Sequence, residues 1–132
     1  MNHKEPAAEQ PPAIEAALSS IAMPGDANPS GDIFGGWLLA QMDLAGSIPA
    51  CERAKGRVAT VAIEAMKFHR AVLVGDRVRC YAQVERVGRT SLTVKIETWV
   101  SRLGVAGMLK VTEGMFTYVA IDGNRHPRPV DL

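Results

Sequence analysis

Between Phe34 and Cys51 the chain carries one formal charge, Asp43, inside a run whose only other polar side chains are Gln41 and Ser47. The run opens on Gly35-Gly36, continues from Trp37 through Ile48, and meets Pro49, where a helix is expected to stop. A helix apolar nearly all round reads as a central, buried element rather than a surface one. That confines the fold, because something must be wrapped about it. A carboxylate in such a setting is costly unless partnered, so Asp43 is either an ion pair or cap within an interface or a chemical group.

Downstream the period changes from helical to two. Val78, Cys80, Ala82 and Val84 alternate with polar residues, and so do Leu92, Val94 and Ile96. These are half-buried antiparallel strands, with Gly88-Arg89 as the hairpin turn between them. Val58–Phe68 is more apolar and is expected to be covered on both faces over its first half. Val111–Ile121 reads as a further long strand ended by Asp122-Gly123-Asn124. One antiparallel sheet burying its apolar face on one helix is an α+β layer arrangement.

The 132 residues suit one domain. Residues 1–13 read as a solvated, disordered tail, 14–124 as the domain and 125–132 as a second tail. Lys and Arg total 15 against 14 Asp and Glu, so the clustered basic excess of a nucleic-acid binder is missing. No run of 18 apolar residues and no secretory leader is visible, which points to a cytoplasmic protein with no membrane contact. Cys51 and Cys80 lack metal spacing and are expected to be reduced thiols. His3, His69 and His126 are scattered: the first and last read as solvated, His69 as structural. No metal constellation and no glycine-rich phosphate loop occurs, so neither metal nor cofactor is expected.

The segment from Asp26 to Asp43, Asp-Ala-Asn-Pro-Ser-Gly-Asp-Ile-Phe-Gly-Gly-Trp-Leu-Leu-Ala-Gln-Met-Asp, closely resembles the signature of YciA-type acyl-CoA thioester hydrolases. Gly56-Arg-Val-Ala-Thr-Val, Val74-Gly-Asp, Gly88-Arg-Thr-Ser and Thr112-Glu-Gly-Met-Phe-Thr-Tyr-Val-Ala add to the likeness, which runs from about Leu18 to Ile121. It implies the hotdog fold, a long central helix wrapped by a five-stranded antiparallel sheet, with Ile14–Met23 contributing the first strand. It also implies dimers packed as hexamers, that is, trimers of dimers. Ser30 stands where the family often has Asn, and Ala71 where it often has Pro.

Thioester hydrolysis needs an oxyanion stabiliser and a base or nucleophile. The N–H groups of Gly35 and Gly36 at a helix start suit the first, although such glycines also serve close packing. The resemblance assigns the second to Asp43, as general base or, by direct attack, through an anhydride. It matches Asn28 to a residue that orients water or the thioester carbonyl, with an Asx turn before Pro29 as the competing reading. Ser47, one turn beyond Asp43, is a lesser candidate. For coenzyme A, the Val58–Ile63 strand, with Thr60 and Val61, offers backbone groups to pantetheine. Arg57, Arg89, Thr90, Ser91 and Lys55 offer groups to phosphates.

Gly35 and Asp43 lie eight residues apart, about 12 Å along a helix axis, whereas reacting atoms must come within about 3–3.5 Å. One chain cannot bring both groups to one substrate. Two antiparallel helices from two chains can. The competing readings are a hotdog dehydratase or hydratase, weakened by the absence of His between Asp26 and Arg57, and a non-catalytic acyl-CoA-binding sensor, which has no need of Asp43.

Overall fold

The period-two segments pair in an order different from their order in the chain. The computed structural model describes residues 9–131; His3 and most of the expected N-terminal tail lie outside them. Strand β1 (Leu18–Ile21) precedes helix α1 (Gly35–Ala54), and β2 (Val58–Phe68), β3 (Arg77–Val87), β4 (Ser91–Ser101) and β5 (Met108–Ala120) follow. They form one antiparallel sheet in the order β1-β3-β4-β5-β2. A tight turn makes the β3–β4 hairpin and a longer loop, residues 102–107, the β4–β5 hairpin; the turn between β3 and β4 closes with Gly88 N–H donating to Ser91 O at 2.7 Å. This is the hotdog arrangement, one long helix against a five-stranded curved sheet.

Alternation selects the inward face. Val78 and Cys80 of β3, Val94 and Ile96 of β4, and Val111, Phe116 and Tyr118 of β5 pack against Leu38, Met42, Ala45 and Ala50 of α1. Small residues let the helix come close to the sheet: a methyl at Gly46 would collide with the Tyr118 hydroxyl and the Ile96 side chain.

Three expectations change. The helix does not stop at Pro49 but runs on to Ala54. The ring forfeits one helical bond at a cost of about 3 kcal/mol in a free helix. Burial of Ala50 and Ala54 on the sheet holds the last turn in place, and the Arg128 guanidinium, donating to Ala54 O at 2.7 Å, caps the helix where its dipole favours a cation. The helix is also not buried all round within one chain: Leu44 is 56% exposed and Ile48 is open as well. Strand β2, finally, is an edge strand, with Val61, Ile63 and Phe68 exposed rather than covered. An apolar run records that a surface is to be covered without recording which chain covers it.

The segment before the helix is fixed from below. Asp76, 2% exposed, accepts from Nε and Nη2 of Arg102 and from Leu73 N–H. The loop so held pairs with the glycine loop through the bridge between Asp32 and Leu73 and through Ile33 N–H to Val72 O, 3.0 Å. The ion pair of a buried carboxylate thus anchors the loop against which the segment before α1 is paired. At the other end of the sheet the C-terminal residues lie on the fold, with Val130 buried beside Ala54, Leu92 and Ala120.

Candidate active site

Helix α1 begins without a side-chain cap. Its N-cap position is Phe34, which has no oxygen to offer where Ser, Thr, Asp or Asn is usual. Leu38 N–H is the first to find a helical acceptor, Phe34 O at 3.2 Å, and the N–H groups of Gly35, Gly36 and Trp37 have no hydrogen bond among the described residues. A Cβ on Gly35 or Gly36 would meet nothing within 4 Å. Within the chain these glycines are not packing devices; they leave backbone donors open to an approaching group.

Two turns on, Asp43 is half-buried and doubly held. Thr60 Oγ1 donates to its Oδ1 at 2.6 Å, and the Tyr118 hydroxyl donates to the same oxygen at 3.1 Å and to the Asp43 main-chain carbonyl at 2.9 Å. Thr60 and Tyr118 are opposite partners in the β2–β5 pairing, which places both hydroxyls beneath the helix. The register shifts just after Thr60, between Thr60 and Ala62, a bulge of the sort that re-aims side chains. Val61, at the bulge, is turned outward. The resulting carboxylate has charge-stabilising donors on one side and an open face on the other.

Asn28 has two roles to share out. Its Oδ1 accepts from Ser30 N–H (2.9 Å) and Asp32 N–H (3.1 Å), so the Asx turn is present. Its amide NH2 has no partner among the described residues and is left as a donor. Ser47 is not part of the constellation: its hydroxyl donates to Leu44 O at 2.6 Å. That bond closes back on the helix and does not reach Asp43.

The residues suggested for phosphates gather at one end of the sheet. Arg57 O accepts from Ile121 N–H, Thr90 O from Ala120 N–H, and Arg89 O from Val130 N–H, at 2.8–3.0 Å. The guanidinium groups of Arg57 and Arg89 are exposed there, with Lys55 at the helix C-cap beside them. The sequence reading missed Tyr118. The signal was available: alternation turns Phe116, Tyr118 and Ala120 inward, and a buried phenol needs a hydrogen-bond partner.

His69 pairs with Glu113 at 2.7 Å on the outer side, away from this site, in a charged cluster with Lys110. No helix among the described residues is long and apolar enough to cross a membrane.

Residues 30–106 match the Thioesterase superfamily. The acyl-CoA thioester hydrolase YciA of Salmonella typhimurium is 48% identical over 124 residues, covering 92% of this chain and 93% of its own length. Among solved structures, a hexameric thioesterase from Yersinia pestis is 47% identical with a TM-score of 0.85, over 91% of this chain and 98% of that one. A hexameric hotdog fold thioesterase of Campylobacter jejuni is 40% identical with a TM-score of 0.83, over 87% and 89%. With 48% identity over nearly the whole length of both chains, a family match over residues 30–106 and the same fold, the chain belongs to the YciA-type acyl-CoA thioester hydrolases, within the thioesterase superfamily.

Proposed function

We propose that the protein hydrolyses acyl-CoA thioesters in the cytoplasm, with Asp43 as general base and the N–H groups at the start of α1 as the oxyanion hole. The observation that carries this is Asp43 itself, a carboxylate set into an apolar helix and held there by Thr60 and Tyr118. As water attacks the thioester carbon, Asp43 takes its proton. The carbonyl oxygen gathers negative charge and is met by the open donors of the partner's Gly35 and the partner's Gly36. The tetrahedral intermediate then expels the sulfur of coenzyme A, which receives the proton from Asp43. Free CoA and a carboxylic acid result.

The partner enters because of the roughly 12 Å between Gly35 and Asp43 along α1. Leu44 and Ile48 on the helix and Val61 and Ile63 on the free edge of β2 leave apolar surface open next to Asp43 and Thr60. A second copy laid antiparallel covers that surface and completes two equivalent sites. The Yersinia pestis and Campylobacter jejuni thioesterases are hexameric, and three such dimers make a hexamer. Asn28 supplies its free NH2 to the water or the carbonyl. The strand from Thr60 and Val61 lies along pantetheine, and Arg57, Arg89, Thr90 and Ser91 face the phosphates.

Thiol release from a panel of acyl-CoAs tests this reading. Turnover should depend on the protein and fall about 100-fold or more in Asp43→Ala. Tight binding of CoA with no turnover at any chain length overturns it in favour of a binding module.

A further inference from the structure

The donors that hold Asp43 are distributed unevenly over its two oxygens. Thr60 Oγ1 and the Tyr118 hydroxyl both end on Oδ1, and Oδ2 has no partner among the described residues. The single phenolic proton of Tyr118 is shared between that oxygen and the main-chain carbonyl of the same residue. A buried tyrosine with a merely structural role would be satisfied by the carbonyl alone. The second acceptor is additional, and it is the side chain on which the reaction depends.

The helix makes room for this hydroxyl. Tyr118 is fully buried, in the same core cluster as Met42, Ala45 and Phe116, and its hydroxyl occupies the place a methyl on Gly46 would take. Burial and the adjacent Asp43 charge both push the phenol pKa well above the ordinary tyrosine value, so the proton stays on the donor.

We infer that Tyr118 is a positioning residue for the hydrolysis proposed above, on which this inference rests. Its hydroxyl, together with Thr60, saturates Oδ1 of Asp43 and fixes the carboxylate's rotation, so that Oδ2 is the oxygen that takes the proton from water. Tyr118 acts through Asp43 and has no contact with acyl-CoA to lose. Its removal therefore lowers kcat and leaves KM unchanged.

Tyr118→Phe in the full-length chain keeps the ring and deletes the donor. The expected result is a kcat about 10–100-fold lower, in line with a hydrogen bond to a charged group, at unchanged KM and assembly and with a melting midpoint lowered only as far as the lost buried hydrogen bonds require. The chain has two tyrosines, Tyr81 and Tyr118, so uniform 3-fluorotyrosine gives two 19F resonances, assigned with Tyr81→Phe. The fluorinated protein retains its hydroxyl and its kcat, the rescue that phenylalanine cannot give. Asp43→Asn moves the Tyr118 resonance and leaves that of Tyr81 in place. An unchanged kcat in Tyr118→Phe overturns the inference, and so does a Tyr118 resonance indifferent to Asp43→Asn. The second readout decides alone if Tyr118→Phe misfolds. A wild-type chain without turnover overturns the hydrolase reading itself, whereas an active wild type with an equally active Tyr118→Phe overturns only this step.

Discussion

Thr60 and Tyr118 face each other across the β2–β5 pairing, and both hydroxyls terminate on one oxygen of Asp43. Residues paired this way sit about 4.5–5.5 Å apart at Cβ, close enough for two donors to converge on one acceptor above the sheet. One donor comes from a strand deep in the sheet and the other from its edge, so the carboxylate registers the position of the edge strand directly.

Thr60→Val keeps the branched shape and removes the donor. Steady-state kinetics should show kcat reduced about tenfold or more, the effect of one lost hydrogen bond to a charged group. Thr60→Ser, which restores a hydroxyl, should recover most of it. Equal rates in Val and Ser variants would dissociate Thr60 from the chemistry.

Gly46→Ala sets two effects against each other. Helix propensity favours alanine by up to about 1 kcal/mol. The new methyl, however, overlaps the Tyr118 hydroxyl and the Ile96 side chain, and overpacking of a tight core typically costs about 1–3 kcal/mol. The net expectation is a lower midpoint in denaturant melts, with kcat reduced beyond what the lost stability explains, because the methyl displaces the phenol from Asp43.

Part of the candidate site is legible in one dimension and part of it is not. A single charge in an apolar run and a glycine pair at its start are local signals, so Asp43, Gly35 and Gly36 stood out. Thr60 was picked out for its place beside pantetheine, and its bond to Asp43 depends on where a bulge falls in β2. Alternation marks Tyr118 as a buried phenol in need of a partner, but the identity of that partner depends on strand register and on the space beside Gly46, neither of which has a local pattern. The helix end was misplaced because Pro49 is a strong local signal, overruled by Ala50, Ala54 and the cap from Arg128. The burial of β2 was misjudged because its apolar residues answer to a surface beyond the single chain.

Glu113 gives the fold a defined response to acid. Lys110 first, and then His69, donate to its carboxylate and hold its pKa at about 2, against an ordinary 4.5. A group whose pKa is depressed on folding contributes its stability above the unfolded value and loses it as the pH falls through the folded one. Glu113→Gln should therefore be less stable than the wild type by ~1 kcal/mol at neutral pH, a partly exposed cluster being worth no more. That gap should close between about pH 4.5 and 2. Denaturant titrations at a series of pH values check both the sign and the window; a gap that widens on acidification would contradict the assignment.

On the two-chain site proposed above, the separation of about 12 Å between the start of α1 and Asp43 carries a kinetic order with it. If every working site takes its donors from one chain and its base from another, specific activity is not a constant of the molecule. Diluted below the dissociation constant of the pair, the preparation should lose rate in proportion to the square of chain concentration, and regain it on reconcentration. A newly made chain is then unarmed until it meets its twin. Hydrolysis of the cell's activated acyl groups would be licensed by encounter, with no inhibitor required to keep solitary copies silent.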